Sequence, residues 1–262
     1  MLSSRIARLL APTLLLVLLW HLTALVIEGW RGVPFPTPLE SVQRLGQLLL
    51  GLPLNQHSIY RHIAVSLQRW LGAFSLAALL GLLFGLAAAR WKGFRLLTAP
   101  IPQLLLLVPG LAWIPVALLI FGVGEAATGF MIALTAFAPI ALATRDGIRQ
   151  IDPAYLRAGR MLGATERALF RQVALPAALP ALLAGMRIGL GNSWRVLVAA
   201  EMVVGSGSGL GFSILESRWN LDYPAAMACI LCLCLLGLLF ERGLFGSLER
   251  VTLRLWRGAP EA

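Results

Sequence analysis

The sequence predicts an all-α membrane protein with six transmembrane helices, and two observations carry this prediction. Hydrophobic residues make up 58% of the 262 residues and charged residues only 13%, a composition outside the range of soluble globular domains. Long uncharged runs alternate with short charged segments, as membrane-crossing helices alternate with their loops. The formal net charge is +10, but the cations flank the apolar runs, which predicts topology determinants rather than a nucleic-acid-binding surface.

The first apolar run, residues 9–27, predicts the first span. Its 19 uncharged residues would extend about 28 Å as a helix, close to the hydrocarbon thickness of a bilayer. The run is too long for a signal peptide, and no small-x-small cleavage site follows it. We therefore expect it to remain in the protein as a span.

The polar connection that follows, residues 28–69, contains one predicted helix. Thr37-Pro38-Leu39-Glu40 fits a capping box with proline at the first helical position, and apolar residues then recur at helical spacing. Such a helix lies on the membrane surface or packs against neighbouring spans. The sequence leaves both interpretations open.

The second and third predicted spans are both uncharged but differ in their helix breakers. Residues 70–89 contain Gly81 and Gly85, a spacing that lets two helices approach closely. Residues 100–121 contain four prolines, and we expect one span kinked at Pro109 or Pro115. The kink indicates either a neighbouring cavity or a bend that serves packing alone.

Three further apolar runs predict spans at 126–144, 180–203 and 223–240, with the glycine-rich residues 205–211 as a flexible connection before the last. The fifth span carries three internal charges, Arg187, Arg195 and Glu201. Charges within spans usually face the bundle interior or a water-filled path. They indicate either a pathway for an oxyanion or interhelical ion pairs, for instance with Glu201 or an acid of a partner subunit.

The distribution of cations predicts the orientation. Six spans place both termini on one side. If that side is the cytoplasm, it carries 15 loop cations, including Arg250, Arg254 and Arg257 after the last span, and the opposite side carries five. The positive-inside rule therefore predicts cytoplasmic termini.

A charged block interrupts the apolar pattern between the fourth and fifth spans, at residues 152–176. It contains four arginines and two acidic residues. Asp152 is placed to cap a helix, Gly163 suits the left-handed turn that ends it, and Thr165 is placed to cap a second short helix. We predict two short helices exposed on the cytoplasmic side as a docking element.

This block resembles the coupling loop of permease subunits of bacterial binding-protein-dependent ABC importers. The family pattern is Glu-Ala-Ala, three residues, Gly, nine residues, Ile, one residue, Leu-Pro. Here Arg157 replaces the Glu and Gly159 replaces the second Ala, while the spacing is kept. The resemblance assigns ATPase coupling to Arg157, Ala158, Gly159, Leu162, Gly163, Val173, Leu175 and Pro176.

Other segments resemble the branch that imports nitrate, taurine and aliphatic sulfonates: residues 35–38, 62–74, 200–202 and 209–211, and the proline-rich third span. The resemblance implies a type I ABC importer permease-like bundle in the bacterial inner membrane. It also implies a homodimer of this chain, an ATPase dimer that binds ATP and Mg²⁺, and a periplasmic solute-binding protein. The implied cargo is a small organic or inorganic oxyanion.

We expect no catalysis, cofactor or metal on this chain. Lys92 is its only lysine and follows no glycine-rich phosphate loop. The three cysteines crowd one apolar run with nothing near them to complete a metal shell. The main alternative is a gradient-driven transporter or channel, but no acidic residue lies near the middle of a span to bind a coupling ion. A scaffold without transport activity leaves the kinked and charged spans unexplained.

Overall fold

A computed structural model describes residues 2–205 and 207–246, which form helices joined by short turns. The α-helices are α1 (Leu2–Arg31), α2 (Pro38–Leu49), α3 (Ile59–Arg90), α4 (Lys92–Thr98), α5 (Pro100–Leu107), α6 (Ile114–Phe121), α7 (Glu125–Arg149), α8 (Pro153–Met161), α9 (Glu166–Leu169), α10 (Leu175–Val203), α11 (Leu210–Trp219) and α12 (Tyr223–Leu238). A 3₁₀ turn precedes α6 (Gly110–Trp113), and π-helical turns precede α10 (Phe170–Ala174) and follow α12 (Leu239–Phe245). Arg250, Arg254 and Arg257 lie outside the described residues.

Within the described residues, five helical segments are long and apolar enough to cross a membrane, and a bent pair of segments makes six when the pair is counted as one span. The bent pair, Lys92–Leu107 and Gly110–Phe121, turns through 106°. The break lies at Pro109, one of the two predicted positions, but it separates two helical segments, so the expectation of a single kinked helix over residues 100–121 is wrong. Val108 is extended and Pro109 precedes the 3₁₀ turn, since the residue before a proline is pushed out of the helical region.

Several helices extend well beyond the apolar runs that predicted them. α3 begins eleven residues before position 70, and its added turns carry the buried polar residues His62 and Ser66. α10 begins five residues before position 180, at Leu175. An apolar window does not detect the first turns of α3, because the fold and not the lipid satisfies their polar side chains.

The centre of the bundle is α7, which packs along both α3 and α10. Small residues allow this approach. A Cβ at Gly85 would lie 2.5 Å from the Cβ of Thr144, and a Cβ at Gly185 would lie 2.3 Å from the Cβ of Ala143. The close packing predicted from Gly81 and Gly85 is confirmed. The core around these contacts comprises Trp70, Phe74, Ala77, Ala78, Ile132, Ala136, Ile140, Leu190 and Leu197.

The helix α2 shows the predicted capping box. The Thr37 hydroxyl accepts a hydrogen bond from the Glu40 N–H at 3.3 Å, and the Glu40 carboxylate accepts one from the Thr37 N–H at 2.8 Å. One face of α2 buries Leu48 in a cluster with α12, whereas Leu39 and Val42 are exposed on another face. Packing against a neighbouring span, one of the two interpretations left open by the sequence, is confirmed for the face that carries Leu48.

Candidate coupling loop and translocation site

The loop at residues 152–176 has the predicted local structure. Asp152 caps α8 by accepting a hydrogen bond from the Ala154 N–H at 2.8 Å, and Thr165 caps α9 by accepting one from the Ala168 N–H at 3.3 Å. Gly163 has a φ of +78°, in the left-handed region that ends helices and favours glycine. The two short helices and the turn between them are confirmed.

Two contacts hold α8 against α9. Arg160 Nε donates to Glu166 Oε1 at 2.9 Å, and this hydrogen bond raises the pKa of the Arg160 guanidinium above its usual range. Gly159 faces the buried side chain of Leu169, and a Cβ at Gly159 would lie 2.4 Å from Leu169 Cδ2. The glycine that departs from the family pattern therefore makes room for an internal contact of the loop.

Apolar side chains on the outside of the loop remain uncovered. Tyr155 is 66% exposed, and Met161 and Leu162 are each 88% exposed. Arg157 and Ala158 are also exposed on α8. Several large apolar side chains exposed on one charged loop indicate an interaction surface.

The last three residues assigned to the loop lie inside a continuous helix. Helical geometry runs from Glu166 to Val203 over 38 residues, and within it Val173 is half-buried in the π-helical turn while Leu175 and Pro176 form the first turn of α10. The loop therefore leads into the fifth span without a break in helical geometry. Leu175 and Pro176 directly follow the π-helical turn, at the point where the hydrogen-bonding pattern changes from π-helical to α-helical.

Glu201, on the fifth span, is buried in a cluster of hydrogen bonds. Its carboxylate accepts from Arg69 Nη1 at 2.9 Å, from the Ser66 hydroxyl at 2.8 Å and from the Gly211 N–H at 2.9 Å. Arg69 also forms an ion pair with Glu125 at the start of α7. This cluster joins α3, α7 and α10. Sequence analysis did not identify Arg69 as a partner of Glu201, because Arg69 lies just before the apolar run that predicts the second span.

Hydrogen bonds hold the second half of the glycine-rich connection against α3. The Gly209 N–H donates to His62 Nδ1 at 3.2 Å, and the Leu210 N–H donates to the Ser66 hydroxyl at 2.9 Å. Gly209 has a φ of +123°, and a Cβ there would lie 2.4 Å from Glu201 Oε1. The expectation of a flexible connection throughout residues 205–211 is therefore wrong for residues 209–211.

Arg187 and Arg195 lie in different surroundings on α10. Arg187 Nη2 donates to Glu241 Oε1 at 3.0 Å, with both side chains about half exposed. Arg195 is exposed, and no hydrogen bond or ion pair joins it to another described residue. The ion pairs expected within the fifth span thus have Arg69 and Glu241 as partners, and they do not join Arg187 to Glu201.

Two cavities meet at Arg195. The first, of about 270 Å³, lies at the break in the third span and includes Pro109, Trp113 and Thr135. The second, of about 350 Å³, contains the Arg187–Glu241 pair. Only two lining residues are common to both cavities, Asn192 and Arg195. Sequence analysis did not identify Asn192 as a site residue. Its position could have indicated one, because an amide three residues before an arginine in an apolar helix places two hydrogen-bond donors on one face.

Six apolar helical units with a broken third unit, an exposed two-helix loop and a charged cavity define a subunit of a membrane transporter. Residues 62–246 match the family described as "Binding-protein-dependent transport system inner membrane component". The chain belongs to this family and is a multi-pass inner-membrane protein. The predicted class, an ABC importer permease, is confirmed over the gradient-driven alternative.

Three curated relatives with similar sequences carry the name of a substrate. The chain is 33% identical to the taurine transport system permease protein of Escherichia coli, over 85% of this chain and 80% of that protein. It is 30% identical to the bicarbonate transport system permease protein of Synechococcus elongatus, over 89% and 84%. Identity to a putative aliphatic sulfonates transport permease protein of Bacillus subtilis is 33%, over 92% and 87%.

Solved structures show the same fold. The MetNI methionine ABC transporter in inward-facing conformations gives a TM-score of 0.56 at 22% identity, covering 72% of this chain and 94% of that chain. An amino acid ABC transporter gives a TM-score of 0.54 at 23% identity, covering 72% and 91%. The predicted fold class, a type I ABC importer permease-like bundle, is confirmed.

Proposed function

We propose that this chain translocates a small organic or inorganic oxyanion, such as an aliphatic sulfonate, taurine, nitrate or bicarbonate, delivered by a periplasmic binding protein. Arg195 is the observation that carries the proposal. It lies eight residues before the end of α10, about 12 Å into the helix, and borders both cavities. A cation inside a span is retained where it faces a partner or a water-filled path, and the names of the relatives point to anions.

The other charges of the fifth span have structural roles in this proposal. Glu201 is enclosed by Arg69, Ser66 and the backbone of residue 211, so it holds helices together and does not meet the cargo. Arg187 borders the second cavity beside Glu241. That pair is electrically balanced, so we assign it to the wall of the pathway and not to anion capture.

The energy for translocation comes from a separate ATPase dimer that binds the coupling loop. The exposed side chains of Tyr155, Met161 and Leu162 offer it apolar surface. Movement of the loop reaches the cavities because helical geometry continues from Glu166 to Val203 and carries Arg195. Nucleotide-driven closing of the ATPase thereby alternates the bundle between inward-open and outward-open states.

The remaining assembly follows from the same proposal. Two copies of this chain form the transmembrane unit, and both termini and the coupling loop lie in the cytoplasm. The orientation is supported by 15 loop cations on that side against five on the other, as the positive-inside rule requires. ATP and Mg²⁺ bind to the partner ATPase and not to this chain.

Uptake measurements on Arg195→Gln test the proposal. The complex with its ATPase and binding protein is reconstituted in vesicles and supplied with a radiolabelled sulfonate. Loss of a charge-assisted hydrogen bond predicts a fall in uptake of roughly tenfold or more, whereas Arg195→Lys retains part of the activity. Arg31→Gln, at an exposed arginine that lines neither cavity, is the matched control. Unchanged uptake by an assembled Arg195→Gln complex would remove Arg195 from the pathway.

A further inference from the structure

We infer that the cavity at the Pro109 break binds an organic anion, with the charged head at Arg195 and a carbon body against the apolar wall. This inference rests on the proposed function and narrows its cargo. It favours anions that carry a carbon chain over compact inorganic ions such as nitrate or bicarbonate. Three features of the cavity support it: the donors at one end, the composition of the wall and the contrast with the neighbouring cavity.

The donors at the polar end are Arg195 and Asn192. Neither side chain has a hydrogen-bond partner among the described residues. The hydroxyl of Thr135 also reaches this cavity, but it donates to the Met131 carbonyl at 2.8 Å. A guanidinium and an amide on one helical face therefore supply the N–H groups for an oxyanion head, in the directional pattern that carboxylates and sulfonates accept.

The rest of the wall is mainly apolar. The end of α5 and the broken segment contribute Leu105, Val108, Leu111 and Trp113, and α10 contributes Val196. A volume of about 270 Å³ far exceeds what a compact oxyanion fills, since one water molecule occupies only about 30 Å³ in the liquid. A carbon body several atoms long occupies that space and removes the apolar wall from water.

The wall is held in place by a close contact at the break. A Cβ at Gly110 would lie 2.4 Å from Val196 Cγ2 and 3.1 Å from Thr135 Oγ1. The segment at the break thus packs directly against α10 and α7, because residue 110 has no side chain. The cavity is built by this packing and is not a gap beside a loose loop.

The neighbouring cavity is less suited to hold an anion. Besides Arg195, it contains Arg187 paired with the carboxylate of Glu241, so an anion bound there would lie near a negative charge. Of the residues described around the cavity at the Pro109 break, Arg195 alone is charged. An anion on the Pro109 side of Arg195 therefore meets a guanidinium with no carboxylate among the other residues that line the cavity.

Binding of straight-chain alkanesulfonates tests the inference. The full chain is purified into nanodiscs, and affinity is measured calorimetrically for methanesulfonate to hexanesulfonate, nitrate and bicarbonate. Burial of each added methylene predicts a gain of about fourfold in affinity over the first three or four carbons. Nitrate and bicarbonate are expected to bind more weakly than butanesulfonate by tenfold or more, and Arg195→Gln to lose binding of the whole series.

Variants of the apolar wall distinguish the contribution of the ligand's carbon body to affinity from the contribution of its charged head. Val108 and Leu111 are 38% and 54% exposed, so Val108→Ser and Leu111→Ser leave the packed core intact. We expect them to flatten the dependence on chain length while methanesulfonate affinity stays within twofold. Leu119→Ser, at a position 87% exposed on α6 and outside the cavity, is the matched control and leaves the series unchanged.

Two results would overturn the inference. Both can be distinguished from the result that would overturn the proposed function. Nitrate binding as tight as hexanesulfonate binding, without chain-length dependence, excludes the organic-anion site but leaves Arg195 as an anion site. Absence of binding by every anion also excludes it. Only unchanged uptake by the Arg195→Gln complex removes Arg195 from translocation itself.

Discussion

Arg69 and Glu201 form a buried ion pair that joins α3 to α10, with 2.9 Å between Nη1 and Oε1 and side chains that are 6% and 0% exposed. The Ser66 hydroxyl and the Gly211 N–H supply further donors to the carboxylate. A buried pair persists when its remaining hydrogen-bonding groups are satisfied, and removal of one partner leaves an uncompensated charge. The pair therefore fixes the end of α10 against the bundle.

Arg69→Met is expected to destabilise the protein by about 3–5 kcal/mol, because the Glu201 carboxylate would remain buried without its cation. The double variant Arg69→Met/Glu201→Gln should recover part of that loss. Thermal unfolding of the purified chain in detergent, analysed as a double-mutant cycle, measures the coupling. Strict additivity of the two single variants would show that the side chains act independently.

The Arg187–Glu241 pair provides a matched control on the same helix. Its N–O distance of 3.0 Å is similar, but its side chains are 47% and 50% exposed. Exposed pairs contribute about 0–1 kcal/mol. Arg187→Gln is therefore expected to shift the unfolding temperature much less than Arg69→Met.

Gly209→Ala tests the turn that closes over Glu201. The backbone has a φ of +123° and an added Cβ would lie 2.4 Å from Glu201 Oε1, so both strain and a clash with the carboxylate follow. Strain alone accounts for about 1–3 kcal/mol. Gly207 also has a positive φ, +78°, but nothing lies within 4 Å of a Cβ there. Thermal unfolding should show a larger loss for Gly209→Ala than for Gly207→Ala, and equal losses would exclude the contact with Glu201.

Local signals in the sequence predicted local structure correctly. The caps at Asp152 and Thr165 and the turn at Gly163 depend on residues within three or four positions of one another, and side-chain chemistry alone specifies such contacts. The continuous helix through Pro176 was not predicted, because a proline in the first turn of a helix and a proline at a helix boundary look alike in sequence.

The partners of the charged residues could not be predicted. Arg69 and Glu201 are separated by 132 positions and Arg187 and Glu241 by 54. Such pairs depend on how α3, α10 and the π-helical turn after α12 pack, and no pattern within one helix contains that information. The break at Pro109 was one of two candidate positions, and the second, Pro115, lies in the first turn of α6, where proline is tolerated.

Leu162→Ser tests the apolar surface of the coupling loop. Leu162 is 88% exposed, so the substitution should change the unfolding temperature by little, since exposed positions contribute within about 0.5 kcal/mol. We expect ATPase binding to weaken roughly tenfold, as for an apolar anchor of an interface. Binding is measured by co-purification and titration with the ATPase. Leu119→Ser, 87% exposed on α6, should leave ATPase affinity unchanged, and equal affinity of both variants would exclude this surface.

Gly163→Val tests the turn between the two short helices of the coupling loop. Gly163 has a φ of +78° with nothing within 4 Å of an added Cβ, so the effect of a substitution is backbone strain and not a clash. A β-branched residue is a strong outlier in this region, whereas asparagine tolerates it. Gly163→Val is expected to reduce transport-coupled ATP hydrolysis by tenfold or more with membrane insertion intact, and Gly163→Asn to retain most of it. ATPase activity stimulated by the loaded binding protein, measured in vesicles, distinguishes the two. Normal coupling in Gly163→Val would show that the angle between α8 and α9 does not transmit the movement of the ATPase.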